Sequence, residues 1–534
     1  MLGAEPSFRQ VTIETIPDEA LLNIFRHYLS LSPQIWPTLT HVCRSWRHIV
    51  LTSPLGLDLR LYCTYGTPFL KTLDLWPALP IVVLYLESST LVPEDEDDIV
   101  AALKHSDRVS SIGLTITSSL LVKLFAIENA FSELEELVLR SLDNVRLLLP
   151  SVFRWGSRLR SLHLTGIAVP ALPQLLSPSR GLVDLTLHEV PNVGYFSPDA
   201  FAQTLSGMIH LRSLSLHFIS FPSRRNSFGP LPQSGKRIVL PALTHLSYRG
   251  ISRYLDSLVA RIDAPRLGDV DITFFSQPTL DASQLGRFIE RIEMQTPLSR
   301  ANIQISAHAI FILFADSSNS KSLQLHMSCT RLDWQLSFIV QVCGHFSPFI
   351  FRVEDLRIDG TQSSSEQGDM YQEQWLQLIR AFSGARDFRV AGELATDILC
   401  ALGPADGGHT AVLPALRQLY VENPLSMQGP LWDALHSLII SRSISGSPVV
   451  FNAPSYQCHL CVSGFILHSA LKRHLQVKHA HRFVCLYCGD FVCMSGRNRL
   501  FREHLESKHP DVAYNDALTS NPLLLPPFPT RRSR

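Results

Sequence analysis

The chain has 534 residues, 46% of them hydrophobic and 18% charged, and its 47 Lys and Arg balance 47 Asp and Glu to a net charge of zero. That composition belongs to a globular protein with room for two or more domains. The charge balance argues against a chain that coats nucleic acid or an anionic membrane along its length, and leaves room for a local basic patch. No apolar run approaches the roughly 20 residues that span a bilayer, and Met1 to Gln10 carry neither the basic nor the apolar segment of a signal peptide, so the expected location is nucleus or cytoplasm. The cysteines fit a reducing compartment. Cys43, Cys63, Cys329, Cys343 and Cys400 are scattered and read as buried thiols, whereas those crowded between Cys458 and Cys493 read as metal ligands.

The first patterned stretch is Ile16 to Val50, IPDEALLNIFRHYLSLSPQIWPTLTHVCRSWRHIV. Pro17 suits a first helical turn, where its missing N–H has no partner to lose, and Asp18 and Glu19 put negative charge at the positive end of the helix dipole. Leu21, Leu22, Phe25, Tyr28 and Leu29 follow at helical spacing. A second apolar stripe, Trp36, Leu39, Cys43, Trp46 and Val50, steps by three and four, and Pro33 and Pro37 break the chain between the two. The spacing predicts about three short helices in a unit too small to stand alone. Ile16-Pro17-Asp18-Glu19, the run Leu21 to Phe25 and the V-C-R-x-W-R of Val42 to Arg47 resemble an F-box, in the family's order and spacing. The resemblance implies docking onto the Skp adaptor of a cullin–RING ubiquitin ligase through Pro17, Leu21, Ile24, Phe25, Val42 and Trp46.

Farther along, the pattern L-x-x-L-x-L, with Ile, Val, Phe or Tyr allowed, recurs at roughly 23 to 32 residues, the range of a strand and its return in a solenoid. It stands at Ile81/Leu84/Leu86, Val109/Ile112/Leu114 and Leu134/Leu137/Leu139, then from Leu159, Leu182, Leu211, Leu243 and Leu267, and again from Val353 and Leu416. Each strand is expected to bury alternate residues against its neighbour, so that no single repeat is stable by itself. Helical faces separate several strands: Leu285, Phe288, Ile289 and Ile292 form one, and Trp375, Leu378, Ile379 and Phe382 another, stopped by Gly384. From about Ile81 to Val421 the pattern resembles the leucine-rich repeat family, which implies a curved parallel sheet with helices outside. The family's Asn after the strand is replaced by Leu142, Ile167, Val190, Ile219 and Ile251, which can pack inward but cannot build its side-chain ladder.

The acidic run Glu94 to Asp98 reads as the charged first turn of a helix. Ser220 to Arg237, rich in Pro, Gly and Ser, reads as a long surface loop whose Arg224 and Arg225 hint at a partner contact, and Thr361 to Asp369 as another polar loop. No nucleophile elbow, phosphate loop or paired-carboxylate arrangement marks this region as an enzyme, and its histidines read as surface or satisfied core residues.

The densest chemistry is C-terminal. Cys458 and Cys461 are followed by His474 and His479, with Phe465 and Leu471 between. Two thiolates from a hairpin knuckle and two imidazoles from one helix face complete the tetrahedron that zinc prefers. With almost no core, such a unit takes its folding free energy, about 10–16 kcal/mol in comparable peptides, from the metal. The arrangement resembles a zinc finger of the two-cysteine, two-histidine family. Cys485, Cys488, His504 and His509 repeat it with a longer gap before the first histidine, for which Cys493 or His481 are substitute ligands. The helix positions that would face bases carry Leu467, Ala470 and Arg473, then Arg497, Leu500 and Glu503, a poor reading set, although Tyr456 to Pro510 is locally basic.

The expected fold class is therefore α/β: a helical F-box at 12–58, a leucine-rich-repeat-like solenoid at 59–452, ββα zinc fingers at 455–480 and 483–510, and a disordered Pro-rich tail at 511–534. The expected function is a non-catalytic adaptor that binds the Skp adaptor and cullin complex through the F-box and a protein substrate through solenoid and fingers, with two zinc ions. A zinc-finger regulator that binds nucleic acid is the alternative, and an F-box protein serving a complex outside ubiquitination is a third reading.

Overall fold

Pro17 opens the first helix as expected: its carbonyl accepts the N–H groups of Ala20 and Leu21 at 3.0 and 3.1 Å. Helix α1, Asp18–Leu31, is followed by the short α2, Trp36–Leu39, and by α3, Arg44–Thr52. Leu21, Phe25 and Leu29 of α1, Trp36 and Leu39 of α2, and Ile49 and Val50 of α3 are buried. The Phe25 ring meets Trp46 edge-on at 4.7 Å, and the Cys43 sulfur caps α3 by accepting the Trp46 N–H at 3.4 Å.

The computed structural model describes residues 16–452 except for gaps between elements, the larger ones at 87–91, 124–129, 149–155, 221–236, 361–370, 403–411 and 423–429. Past 452 it describes only the antiparallel strand pairs Tyr456–Gln457 with Gly464–Phe465 and Phe483–Val484 with Phe491–Val492. The chain divides into two compact units: Met1–Leu298 with Phe311–Cys329 and Gln341–Phe349, and Ser299–Ile310 with Thr330–Val340 and Ile350–Arg534.

In the first unit the strands β1 Leu61–Thr64, β2 Ile81–Tyr85, β3 Val109–Ile116, β4 Glu136–Ser141, β5 Ser161–Thr165, β6 Asp184–Val190, β7 Ser213–Phe218, β8 His245–Gly250 and β9 Asp269–Phe274 pair in parallel in that order. Next along the chain come β10 Arg300–Ile305, β11 Ala309–Ala315 and β12 Ser322–Ser328, of which β12 pairs in parallel with β9. In the second unit β10, β13 Asp355–Gly360, β14 Asp387–Gly392, β15 Gln418–Glu422 and β16 Val450–Asn452 form a second parallel series.

From Val109 onward every residue of the repeated L-x-x-L-x-L pattern is at most 4% exposed, because the strand period of two sends the last two to one face and the first packs just before the strand or, in β3, opens it. The first repeat departs. Ile81, Val83 and Tyr85 are fully buried while Leu84 and Leu86 are only half-buried, because β2 runs unbroken from Ile81 and the register against β3 shifts between Ile81 and Val82. The positions that lack the family's Asn divide: Ile167 and Val190 pack inward, whereas Leu142 and Ile219 are 39% and 53% exposed.

Helices return between strands where the three-four spacing predicts them. Pro93–Lys104 begins with the acidic turn Glu94, Asp95 and Glu96. Ser283–Glu293 buries Leu285, Phe288, Ile289 and Ile292, and Gln372–Ala381 buries Trp375, Leu378 and Ile379 completely. Gly384 does more than end the second of these: a Cβ there would stand 1.9 Å from the Phe351 carbonyl oxygen. β10, β11 and β12 follow one another without a helix between, a departure from the repeat. The turn after β11 is built on Asp316, whose carboxylate accepts the Ser320 N–H at 2.8 Å and both the Ser318 and Ser320 hydroxyls at 2.7 Å.

Candidate docking face of the N-terminal helices

Helix α1 is apolar on more than one side. Leu21, Phe25 and Leu29 step by four and face inward, while Ile24, Tyr28 and Leu31 step by four and three along another face and are 52%, 43% and 73% exposed. Val42, just before α3, adds a further exposed apolar side chain at 56%. Around these lie polar and basic groups, among them Arg26, which donates to Asn23 Oδ1 at 2.7 Å and to the Gly56 carbonyl at 3.3 Å. An apolar centre with a polar rim is the anatomy of a protein-docking face.

The six residues expected to contact an adaptor thus fall into two groups. Ile24, Val42 and Pro17 are exposed; Leu21 and Phe25 are enclosed, at 3% and 0%, and Trp46 is half-buried beneath α1. Leu21, Phe25 and Trp46 hold the angle at which the exposed residues stand. Tyr28 belongs to the exposed stripe and not, as its spacing suggested, to the inner one, and Leu31 joins it without having been singled out. The signal was there in Ile24-x-x-x-Tyr28-x-x-Leu31, a stripe with no room on the inner face of a helix that already buries Leu21, Phe25 and Leu29.

The helices are tied to the strands by Trp36. Its indole Nε1 donates to the Arg60 carbonyl at 2.7 Å, and its ring meets Trp76 edge-on at 5.3 Å. Beside this anchor opens a hollow of about 750 Å³ lined by Trp36, Arg47, Tyr62 and Trp76 among others.

The expected zinc ligands Cys458, Cys461, His474, His479, Cys485, Cys488, His504 and His509 lie outside the described residues. Among the described residues no group of three or more His, Cys, Asp or Glu is placed to hold a metal, and no helix is long and apolar enough to cross a membrane. Of the scattered cysteines, Cys63, Cys329 and Cys343 are buried, and burial pushes the Cys63 and Cys343 thiols up to about 12. Cys43 is half-buried, and Cys400 is exposed on helix Ala395–Ala401, against the expectation of a buried thiol.

Residues 13–55 match the F-box-like family model. The matched segment contains α1, α2, α3 and the whole exposed stripe. No curated protein matches the chain. Among solved structures, the leucine-rich repeat-containing protein LegL7 from Legionella pneumophila matches at 15% identity and a TM-score of 0.25, over 65% of this chain and 96% of that one. The parallel-strand architecture rests on the registers described above.

Proposed function

We propose that the protein is a non-catalytic substrate-recognition subunit of a Skp–cullin–F-box ubiquitin ligase, acting in nucleus or cytoplasm. The N-terminal helices hold the Skp adaptor, and the strand ladders together with a pair of C-terminal zinc fingers hold a protein substrate. The observation that carries this reading is the coincidence of the F-box-like match over 13–55 with an apolar stripe, Ile24, Tyr28 and Leu31, left in solvent by a helix whose inner face is fully used, and with the exposed Val42 just before α3. Exposed large apolar side chains gathered within one small unit mark an interaction surface.

The zinc reading is supported by the two described antiparallel strand pairs. Gln457 pairs with Gly464 and Val484 with Phe491, so each pair brackets one Cys-x-x-Cys. Cys458, Cys461, His474 and His479 hold one ion and Cys485, Cys488, His504 and His509 the second. A site with four protein ligands is closed, and supplies folding rather than catalysis.

The test is capture. Co-expression of the full chain with a Skp adaptor is expected to give a stoichiometric complex on size exclusion. Ile24→Asp/Leu31→Asp/Val42→Asp changes only exposed side chains, so it is expected to keep the thermal midpoint and lose the complex. A well-folded wild-type chain that captures no adaptor would sink the proposal.

A further inference from the structure

The outward faces of β4 to β9 and β12, all within the first unit, carry their polar side chains in rows set by the parallel register. The row nearest the C-terminal ends of the strands runs Arg140, Thr165, His188, then His217, Arg249, Thr273 and His326, each next to its neighbour. His188 and His217 are stacked, with ring centroids 4.1 Å apart and planes 2° from parallel. That row contains two arginines and three histidines and no acid. The acids stand elsewhere: Glu136, Asp184 and Asp269 at the opposite ends of the strands, and Asp271 in the middle row beside Ser247. Two of them are already engaged, Glu136 with the Ser111 hydroxyl at 3.0 Å and Asp269 with His245 at 2.8 Å and Ser322. Glu189 is next to His188 in sequence and exposed.

The second unit solves the same problem differently. Its strand-face arginines are neutralised at home: Arg357 meets Glu422 at 2.8 Å, and Arg389 meets Asp355 at 3.4 Å and covers the Tyr420 ring at 4.5 Å. Arg140 and Arg249, exposed in the first unit, have no such carboxylate among the described residues. Positive charge that the second unit pairs internally is left without an ion-pair partner here among the described residues, so these two guanidinium groups are available to an anion from outside.

The histidines are arranged to accept it. Nε2 of His188 lies 2.8 Å from the Ser215 hydroxyl and Nε2 of His217 lies 2.8 Å from that of Ser247. When each serine donates, the Nδ1 of both rings carries the proton and is left to donate in turn. Burial, then His188 and Arg249, push His217 down to about 4, and burial and His163 lower His188 as well. The rings are thus neutral at pH 7, N–H donors outward in that tautomer, and the two arginines carry the charge.

We propose that this ridge at the C-terminal ends of β4 to β9 and β12 docks an acidic peptide segment lying across the strands, its carboxylates on Arg140 and Arg249 and on the His188 and His217 rings between them. The proposal deepens the substrate-binding role given above to the strand ladders and rests on that reading. Glu side chains at alternating positions share one face of an extended segment about 6.6 Å apart, and their flexible carboxylates can reach donors set at the strand spacing of about 4.8 Å; Arg–carboxylate contacts are the strong, directional ones.

The test uses the full-length chain and a fluorescein-labelled twelve-residue peptide of alternating Glu and Ser, with the same peptide carrying Gln for Glu as control. Anisotropy is expected to show binding of the Glu peptide at least tenfold tighter than the Gln peptide. Arg140→Gln/Arg249→Gln is expected to lose about tenfold, roughly 1.4 kcal/mol, at unchanged thermal midpoint, while the second-unit control Arg357→Gln/Arg389→Gln changes binding less than twofold. Dependence on Arg140 and Arg249 separates the ridge from the basic C-terminal segment. Equal binding of both peptides, no effect of Arg140→Gln/Arg249→Gln, or a duplex DNA that binds through these arginines more tightly than the peptide would each overturn the proposal. Adaptor capture by Arg140→Gln/Arg249→Gln is measured in parallel and is expected to be intact, so failure of the ridge and failure of the ligase reading are told apart.

Discussion

Asp256 illustrates how a single buried polar group joins neighbouring repeats. It lies on helix Ser252–Val259, is 3% exposed, and accepts the N–H groups of Gln284 and Leu285 at 2.6 and 2.9 Å, so a residue of one helix satisfies the orphan donors that open the next. Burial pushes its carboxyl up to about 6 despite those two bonds. An acid raised above its unfolded value of about 3.9 contributes stability that is fully present below that pH and is lost as pH rises through the folded value. Asp256→Asn keeps an accepting oxygen and removes the titration. The variant is therefore expected to gain stability relative to wild type between pH 4 and pH 6 and to hold a constant difference above; urea midpoints of both proteins across that range check it, and a flat difference would refute it. Asp316 is the opposite case. Hydrogen bonds from Ser320 and Ser318 pull its carboxyl down to about 2, so what it adds is present above about pH 4 and is lost as pH falls through 2. Asp316→Ala strands several donors of that turn and is expected to cost about 1–3 kcal/mol at pH 7.

At the scale of elements, close approach decides more than propensity. The Gly384 position touches the Phe351 carbonyl so tightly that Gly384→Ala must push the turn after helix Gln372–Ala381 away from the chain before β13, at a cost of about 1–3 kcal/mol; a thermal midpoint unchanged from wild type would contradict the packing. The sequence made Gly384 legible as a helix stop but not as a contact, because nothing local encodes the carbonyl it meets. Strands β3 to β9, β13 and β15 were legible because Leu and its substitutes recur at a fixed offset. β10, β11 and β12 lie outside that repeat, yet A-x-I-x-I of β10 and L-x-L-x-M of β12 alternate as cleanly as any strand here, and AIFILFA of β11 is a continuous apolar run of strand length. Leu84 and Leu86 were misplaced because a register shift moves the pattern by one residue, and a shift by one exchanges the faces. In the docking face, the helices were legible and their division into inner and outer stripes was not, since Tyr28 fits either stripe until Leu21, Phe25 and Leu29 have filled the core.

For the whole molecule, a net charge of zero conceals segments of different character: the open basic ridge of the first unit, the internally paired strand face of the second, and the basic stretch Tyr456 to Pro510. If the protein is the adaptor proposed, its docking parts answer to different partners, so removing one should leave the others working. The proposed zinc fingers are the sharpest place to ask. Cys458 to His509 offer too little apolar sequence for a core of their own, and a zinc site of the proposed type supplies about 10–16 kcal/mol in isolated peptides. Full-length protein purified without chelator is therefore expected to carry close to two zinc ions per chain by elemental analysis. Cys458→Ser and Cys485→Ser are each expected to remove one of them. Because Ile24, Leu31 and Val42 lie in the first compact unit and the proposed zinc ligands in the second, neither variant should weaken adaptor capture, and chelator should strip the metal while leaving the thermal transition of the strand ladders in place. Protein that carries no zinc would remove the fingers from the scheme, and loss of adaptor capture on chelation would show that the N-terminal helices and the fingers fold as one body.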